Sequence, residues 1–271
     1  MKADLHMHTI FSDGVNTISE VADMAIKAGM DIIAITDHDT FTDSTCIRDK
    51  IKTIYGIEVS TYHNGEAIHV LGYFKKIPPK SFLDRLEEFK ARRLKRALEI
   101  LSLLEKHFDL KLDPSFVYNA NSITRGTIGR EIVRQTNGKY SKAYIFSHMI
   151  GNGCKAYIPS LKISTKEGIE LIKNAGGLAV LAHPALYKEE NMLEVIKFGF
   201  DGIEAIYPFH KEEVEKFRHL AKVNNIRFIT GGSDFHNLIT PLDASSHGNI
   251  GQAYIDGNDT LKFLKELDYE C

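Results

Sequence analysis

Near its start the chain reads Asp4-Leu5-His6-Met7-His8, then Ser12-Asp13-Gly14, and near its far end Gly231-Gly232-Ser233-Asp234-Phe235-His236. In an extended strand successive side chains alternate faces, so His6 and His8 point one way together, as do Asp234 and His236. Each segment therefore offers two metal-ligand side chains from one strand. The pattern predicts that folding brings the two ends of this 271-residue chain together around metal.

Between those ends, short apolar runs alternate with amphipathic stretches. Ile32 to Ile35, Gly177 to Ala182, Gly202 to Ile206 and Ile226 to Ile229 have the continuous apolar character of buried parallel strands. Helices are expected at Ser19 to Lys27, stopped by Gly29, and at Thr165 to Asn174, stopped by Gly176-Gly177. Strand and helix in alternation imply an α/β fold with a parallel sheet or barrel, whose working residues sit where strands end. Histidines recur there, in Thr36-Asp37-His38 and in His183-Pro184.

From Pro78-Pro79 to about Pro159 the pattern changes. Phe82, Leu86, Phe89, Leu94, Leu98, Leu101 and Leu104 mark one face of a long helix, and no comparable strand appears. We read 78–155 as a helical insertion in a barrel built from 1–77 and 156–271. The charges Arg92, Arg93, Lys95 and Arg96 are interleaved with Glu87, Glu88 and Glu99, as on an ordinary solvated helix face.

Lys plus Arg number 34 against 36 Asp plus Glu, so no bulk field draws the chain to duplex nucleic acid or to a membrane. Cys46, Cys154 and Cys271 are odd in number and far apart, which argues against a disulfide framework. Met1-Lys2-Ala3-Asp4 runs straight into the first strand, and no apolar run reaches membrane-span length. A soluble, unprocessed cytoplasmic protein is expected.

His38, Glu58 in Gly56-Ile57-Glu58-Val59-Ser60, His69 in Ile68-His69-Val70 and His183 join the terminal motifs. Imidazole mixed with carboxylate suits zinc, manganese or iron, and one ion cannot use so many ligands. Taken singly, His38 or His183 is better explained as a core histidine satisfied by backbone carbonyls, and it is their joint occurrence that reverses this. Together these motifs resemble the polymerase and histidinol phosphatase (PHP) family of metal-dependent phosphoesterases, in its branch of nucleotide and bisphosphate phosphatases.

The resemblance implies a distorted (β/α)7 TIM-like barrel holding two to three divalent ions at its strand ends. Carried over by motif, His6, His8, Glu58 and Asp234 would hold one ion, and Asp13, His38 and His236 a second. Glu58, His69 and His183 would hold a third, with Glu58 bridging. It further implies attack on phosphorus by a metal-bridging hydroxide. Three divalent ions bring about six positive charges against three ligand carboxylates, an excess that favours an anionic substrate.

Arg125 and Arg130 lie where similar phosphatases carry a phosphate-binding segment, although Gly126-Thr127 replaces their usual Pro-His; the alternative for both is a surface helix arginine. Lys155 is a third candidate phosphate contact. His210 reads either as a proton donor to the leaving oxygen or as an exposed loop histidine without a role. Asp37 or Asp39 is expected to orient His38, or else to cap a turn, and Gly14, Gly231 and Gly232 to permit tight turns. The expected substrate is a small phosphorylated metabolite, a nucleotide such as a nucleoside 3',5'-bisphosphate or a short RNA end. A cyclic phosphodiester or histidinol phosphate is the runner-up. A non-catalytic metal- or nucleotide-binding module would be expected to have lost ligands, and a polymerase-linked exonuclease would need segments this chain lacks.

Overall fold

The computed structural model describes residues 1–119, 123–159, 162–238 and 247–269. Strand β1 (Ala3–Asp4) leads through a loop to helix α1 (Ile18–Lys27) and then β2 (Ile32–Ile35). A reciprocal cap starts α1: the Thr17 hydroxyl accepts from the Glu20 N–H, and the Glu20 carboxylate accepts from the Thr17 N–H at 2.7 Å.

Strands β3 (Lys52–His63) and β4 (Glu66–Phe74) form a hairpin. Its turn, Asn64-Gly65, has φ of 42° and 86°, the double left-handed conformation of a two-residue turn that matches strand twist. This hairpin adds one reversed strand to the parallel set expected from the apolar runs. β4 runs antiparallel to both its neighbours, while every other pairing between barrel strands is parallel.

Four helices follow: α2 (Lys80–Phe108), α3 (Ser115–Asn119), α4 (Arg125–Gln135) and α5 (Lys142–His148). The chain then returns through β5 (Ile163–Ser164), α6 (Thr165–Asn174), β6 (Leu178–Leu181), α7 (Glu189–Val195), β7 (Gly202–Ile206), α8 (Val214–Val223), β8 (Phe228–Gly231) and α9 (Gly257–Glu266). The barrel order is β1-β2-β3-β4-β6-β7-β8, with β5 pairing β3 off the path.

The Leu5 N–H donates to the Gly231 carbonyl at 3.2 Å, and the His8 N–H to the Phe235 carbonyl at 2.8 Å. These bonds nearly close a seven-strand α/β barrel and set the two terminal motifs side by side. Ala3, Leu5, Ile32, Ile54, Leu71, Val180 and Phe228 pack with Phe263 and Leu264 of α9 in one apolar cluster.

The buried stripe of α2 is Phe82, Leu86, Phe89, Ala97, Ile100 and Leu104, with Leu94, Leu98 and Leu101 only partly buried. Spacing by four and three runs through position 93, so the expected stripe slipped one residue after Phe89. Ala97, Ile100 and Leu104 pack with Ile128, Ile132, Ile145 and Met149 in a cluster separate from the barrel's. Cys46 and Cys154 are free, and Cys271 lies outside the described residues. No helix among the described residues is long and apolar enough to cross a membrane.

Candidate metal centre

Parallel strands end on one rim of the barrel. His6 and His8 follow β1, His38 follows β2, His183 follows β6, and Asp234 and His236 follow β8. Glu58 lies within β3. The reversed β4 brings His69 to the same rim, because Ser60 pairs with His69 across the hairpin and Glu58 lies two residues from Ser60 on the same face. Glu58 Oε2 is 3.3, 3.2 and 3.0 Å from ring nitrogens of His6, His8 and His38. Its Oε1 is 3.0 Å from His69 Nδ1 and 3.0 Å from His183 Nε2. Asp234 Oδ1 is 3.2 Å from His6 Nε2 and 3.1 Å from His8 Nε2, and Asp13 Oδ1 is 3.1 Å from His236 Nε2.

Every ligand expected from the sequence thus converges. Among the described residues five groups have donor atoms mutually within 4.8 Å, and three of them are built from the expected ligands: His6, His8, Glu58 and Asp234; His8, Asp13, His38 and His236; and His38, Glu58 and His69, while the other two are Asp234, His236 and His247, and His210, Glu212 and Glu213. The first is the set implied by resemblance. The second adds His8, and the third has His38 where His183 was expected.

The donor chemistry fits divalent metal. His6 Nε2, His8 Nε2, Asp13 Oδ1, His38 Nδ1, Glu58 Oε2 and His183 Nδ1 are buried without a hydrogen-bond partner, an expensive arrangement for polar atoms. Metal bonds of about 2.0–2.2 Å place neighbouring ligand atoms about 2.8–3.6 Å apart, the spacing these atoms already have. Burial alone would raise Glu58, yet His38, His6 and His69 hold its carboxyl well below the usual range. His8 shows the reciprocal effect: burial lowers it, but Asp234 and Glu58 carry it up to about 10.

Several supporting groups carried no motif. Fully buried Glu204 lies 3.0 Å from His6 Nδ1 and accepts the His183 N–H at 2.7 Å. Asp234 Oδ2 accepts from the Tyr207 hydroxyl at 2.7 Å and lies 2.8 Å from His247 Nδ1. The expected role of Asp37 or Asp39 on His38 is corrected. Asp37 accepts from the Thr9 N–H and from the hydroxyls of Thr9, Ser12 and Thr42, which fixes the loop after His8. Asp39, at φ 50°, turns away to the Ser60 N–H and the Arg93 guanidinium. The glycines differ from expectation too, serving close approach: a Cβ on Gly232 would lie 2.4 Å from His6 Cβ, and one on Gly14 2.6 Å from the His8 carbonyl.

Beside the cluster lies a cavity of about 340 Å³ lined by Asp39, Ser60, Phe89, Arg92, Arg93, Lys95, Arg96 and Lys162, among others. The charged stretch of α2 read as solvated therefore faces, in part, inward. Arg93 occupies the buried stripe and donates to Ser60 Oγ at 3.0 Å. Lys162, just before β5, is pushed down to about 7 by burial and by the neighbouring Arg93.

Arg125 donates to the Ile150 carbonyl and to Asn152, with its guanidinium 5.3 Å from the Tyr157 ring centre. Arg130 is exposed on α4, and Lys155 is exposed in the turn before β5, so Lys162 rather than Lys155 is the lysine at the strand entrance. His210 is half-buried, 6.2 Å ring to ring from Tyr207 and 3.6 Å from Glu213.

A barrel with clustered imidazoles and carboxylates at its strand ends, flanked by a basic cavity, defines a metal-dependent phosphoesterase. The PHP domain model matches residues 4–112. A 5'-3' exoribonuclease of Haemophilus influenzae is 33% identical over 87% of this chain and 90% of its own length. The chain belongs to the PHP family. Other relatives are a phosphoribosyl 1,2-cyclic phosphate 1,2-diphosphodiesterase of Eggerthella lenta (27% identical; 87% and 94% covered) and a 3',5'-nucleoside bisphosphate phosphatase of Chromobacterium violaceum (28%; 86% and 86%). A solved Bifidobacterium adolescentis structure, provisionally assigned as a metal-dependent phosphoesterase, is 26% identical with a TM-score of 0.80, covering 97% of this chain and 96% of that one.

Proposed function

We propose that the protein hydrolyses a small nucleotide carrying two phosphate groups, a nucleoside 3',5'-bisphosphate or the end of a short RNA. The observation that carries this reading is a second cationic site, the Arg93 and Lys162 cavity, beside the metal-ligand cluster. One phosphate is cleaved at the cluster while the other is held by those side chains. Relatives named as a bisphosphate phosphatase and an exoribonuclease support the same substrate class.

In this reading His6, His8, Glu58 and Asp234 hold one ion, Asp13, His38 and His236 a second, and Glu58, His69 and His183 a third. Bound divalent ions, whether zinc, manganese or iron, supply Lewis acidity, lowering the pKa of water and neutralising phosphoryl oxygens. Arg93 and Lys162 grip the uncleaved phosphate, with Arg125 adding positive charge behind them. His210 donates a proton to the leaving oxygen. The helical segment 78–155 caps the cavity and limits its reach to small substrates.

The test is a panel of 3',5'-bisphosphates, 5'-monophosphates, cyclic phosphates and histidinol phosphate, assayed with zinc, manganese and iron forms. The second phosphate should raise kcat/KM about 10²-fold over the matching monophosphate, the worth of one to two charge-assisted hydrogen bonds. Equal turnover of mono- and bisphosphate contradicts this assignment. A preference for cyclic phosphates would favour the chemistry of the Eggerthella lenta relative.

A further inference from the structure

We propose that Glu204 is a positioning residue that selects the metal-binding tautomer of His6 and anchors the backbone of His183, so that one buried carboxylate sets two ligands from different strands. The inference rests on the reading of the cluster as a metal centre.

Glu204 sits in an otherwise apolar strand, Gly202-Ile203-Glu204-Ala205-Ile206, and is fully buried. A carboxylate there is costly unless its oxygens are engaged. Both are: Oε1 and Oε2 lie 3.0 and 3.2 Å from His6 Nδ1, and Oε2 also accepts the His183 N–H at 2.7 Å. It belongs to none of the donor groups that can hold an ion.

An ionised carboxylate only accepts, so the proton of the His6 ring lies on Nδ1 and leaves the Nε2 lone pair free. That nitrogen is the atom 3.2 Å from Asp234 Oδ1 and 3.3 Å from Glu58 Oε2. His183 adopts φ 26° and ψ 58°, a conformation non-glycine residues rarely take, and its N–H is the group Glu204 holds. Pairing between β7 and β8 slips between Glu204 and Ile206, a bulge of the kind that re-aims side chains beside active sites.

Glu204→Gln keeps the shape but offers one acceptor and one donor group. If its oxygen stays on the His183 N–H, its amide faces His6 Nδ1 and drives the ring proton to Nε2. If it flips, the His183 N–H loses its acceptor.

Two measurements on the full chain test this. In the zinc-loaded wild type, ¹⁵N-histidine spectra should show a slowly exchanging His6 Nδ1–H, and a His6 ring without that proton overturns the proposal. In Glu204→Gln, zinc affinity by competition with a chelator should fall about 10–100-fold while the melting temperature of the chelator-treated protein stays near wild type. Wild-type affinity in the variant overturns the role of Glu204 alone. A wild type that binds no zinc, manganese or iron overturns the metal centre itself, and the proposal with it.

Discussion

Arg93 is the one charged residue on the four-and-three spacing of the α2 stripe, and its guanidinium is held by Asp39 and Ser60. Burial lowers it to about 10, so it stays charged at neutral pH. Arg93→Ala should raise KM for a bisphosphate about 10²-fold, by loss of a charge-assisted contact, and leave monophosphate kinetics within a few-fold. Steady-state kinetics on the two substrates checks this. Lys162, at about 7, is protonated below that pH and loses its charge as pH rises through it. The kcat/KM for a bisphosphate should therefore fall above pH 7, and Lys162→Arg, charged throughout, should flatten that limb. For stability the sign is opposite: between about pH 7 and the unfolded value of 10.5 the unfolded chain binds more protons, so stability rises with pH across that window. The ligands were legible because each sits in a short polar motif at a strand end. Glu204 and Lys162 were not, since one acid in an apolar strand and one base before a strand carry no spacing signal. Arg93 had one, the unbroken four-and-three spacing from Phe82 to Leu104, which the leucines at 94, 98 and 101 obscured.

At the scale of elements, the joint between the chain's ends depends on backbone approach. A Cβ on Gly232, just past the end of β8, would come within 2.5 Å of the backbone nitrogen of His6 and 2.4 Å of its Cβ. Gly232→Ala should cost about 1–3 kcal/mol of stability by overpacking and lower the bound metal, read by denaturant melts and metal analysis of the same preparation. The hairpin is a second case. Asn64-Gly65 is a strong turn signal between two β-rich runs, yet Glu58 and His69 were read as separate motifs, so the reversal of β4 went unseen. β2 and β7 matched their expected bounds because continuous apolar runs between glycines and polar turns mark buried strands directly.

For the whole molecule, Phe82, Leu86 and Phe89 of α2 pack in a cluster with barrel strands, whereas Ala97, Ile100 and Leu104 pack with α4 and α5 in a cluster of their own. Leu104→Ala, at a fully buried position in the helical cluster, should cost about 2–5 kcal/mol while leaving metal content unchanged. Alternation of strand and helix revealed the barrel, whereas the inward turn of α2 depends on packing that no local pattern encodes. The central claim is that ligands from both ends of the chain form one metal centre that supports phosphoester hydrolysis. Its most direct test is to measure bound metal and phosphate release together in His8→Ala and Asp234→Ala. Each variant should lose metal and about 10²-fold or more of the wild-type rate. Wild-type phosphate release from either variant once its metal is gone would contradict the account.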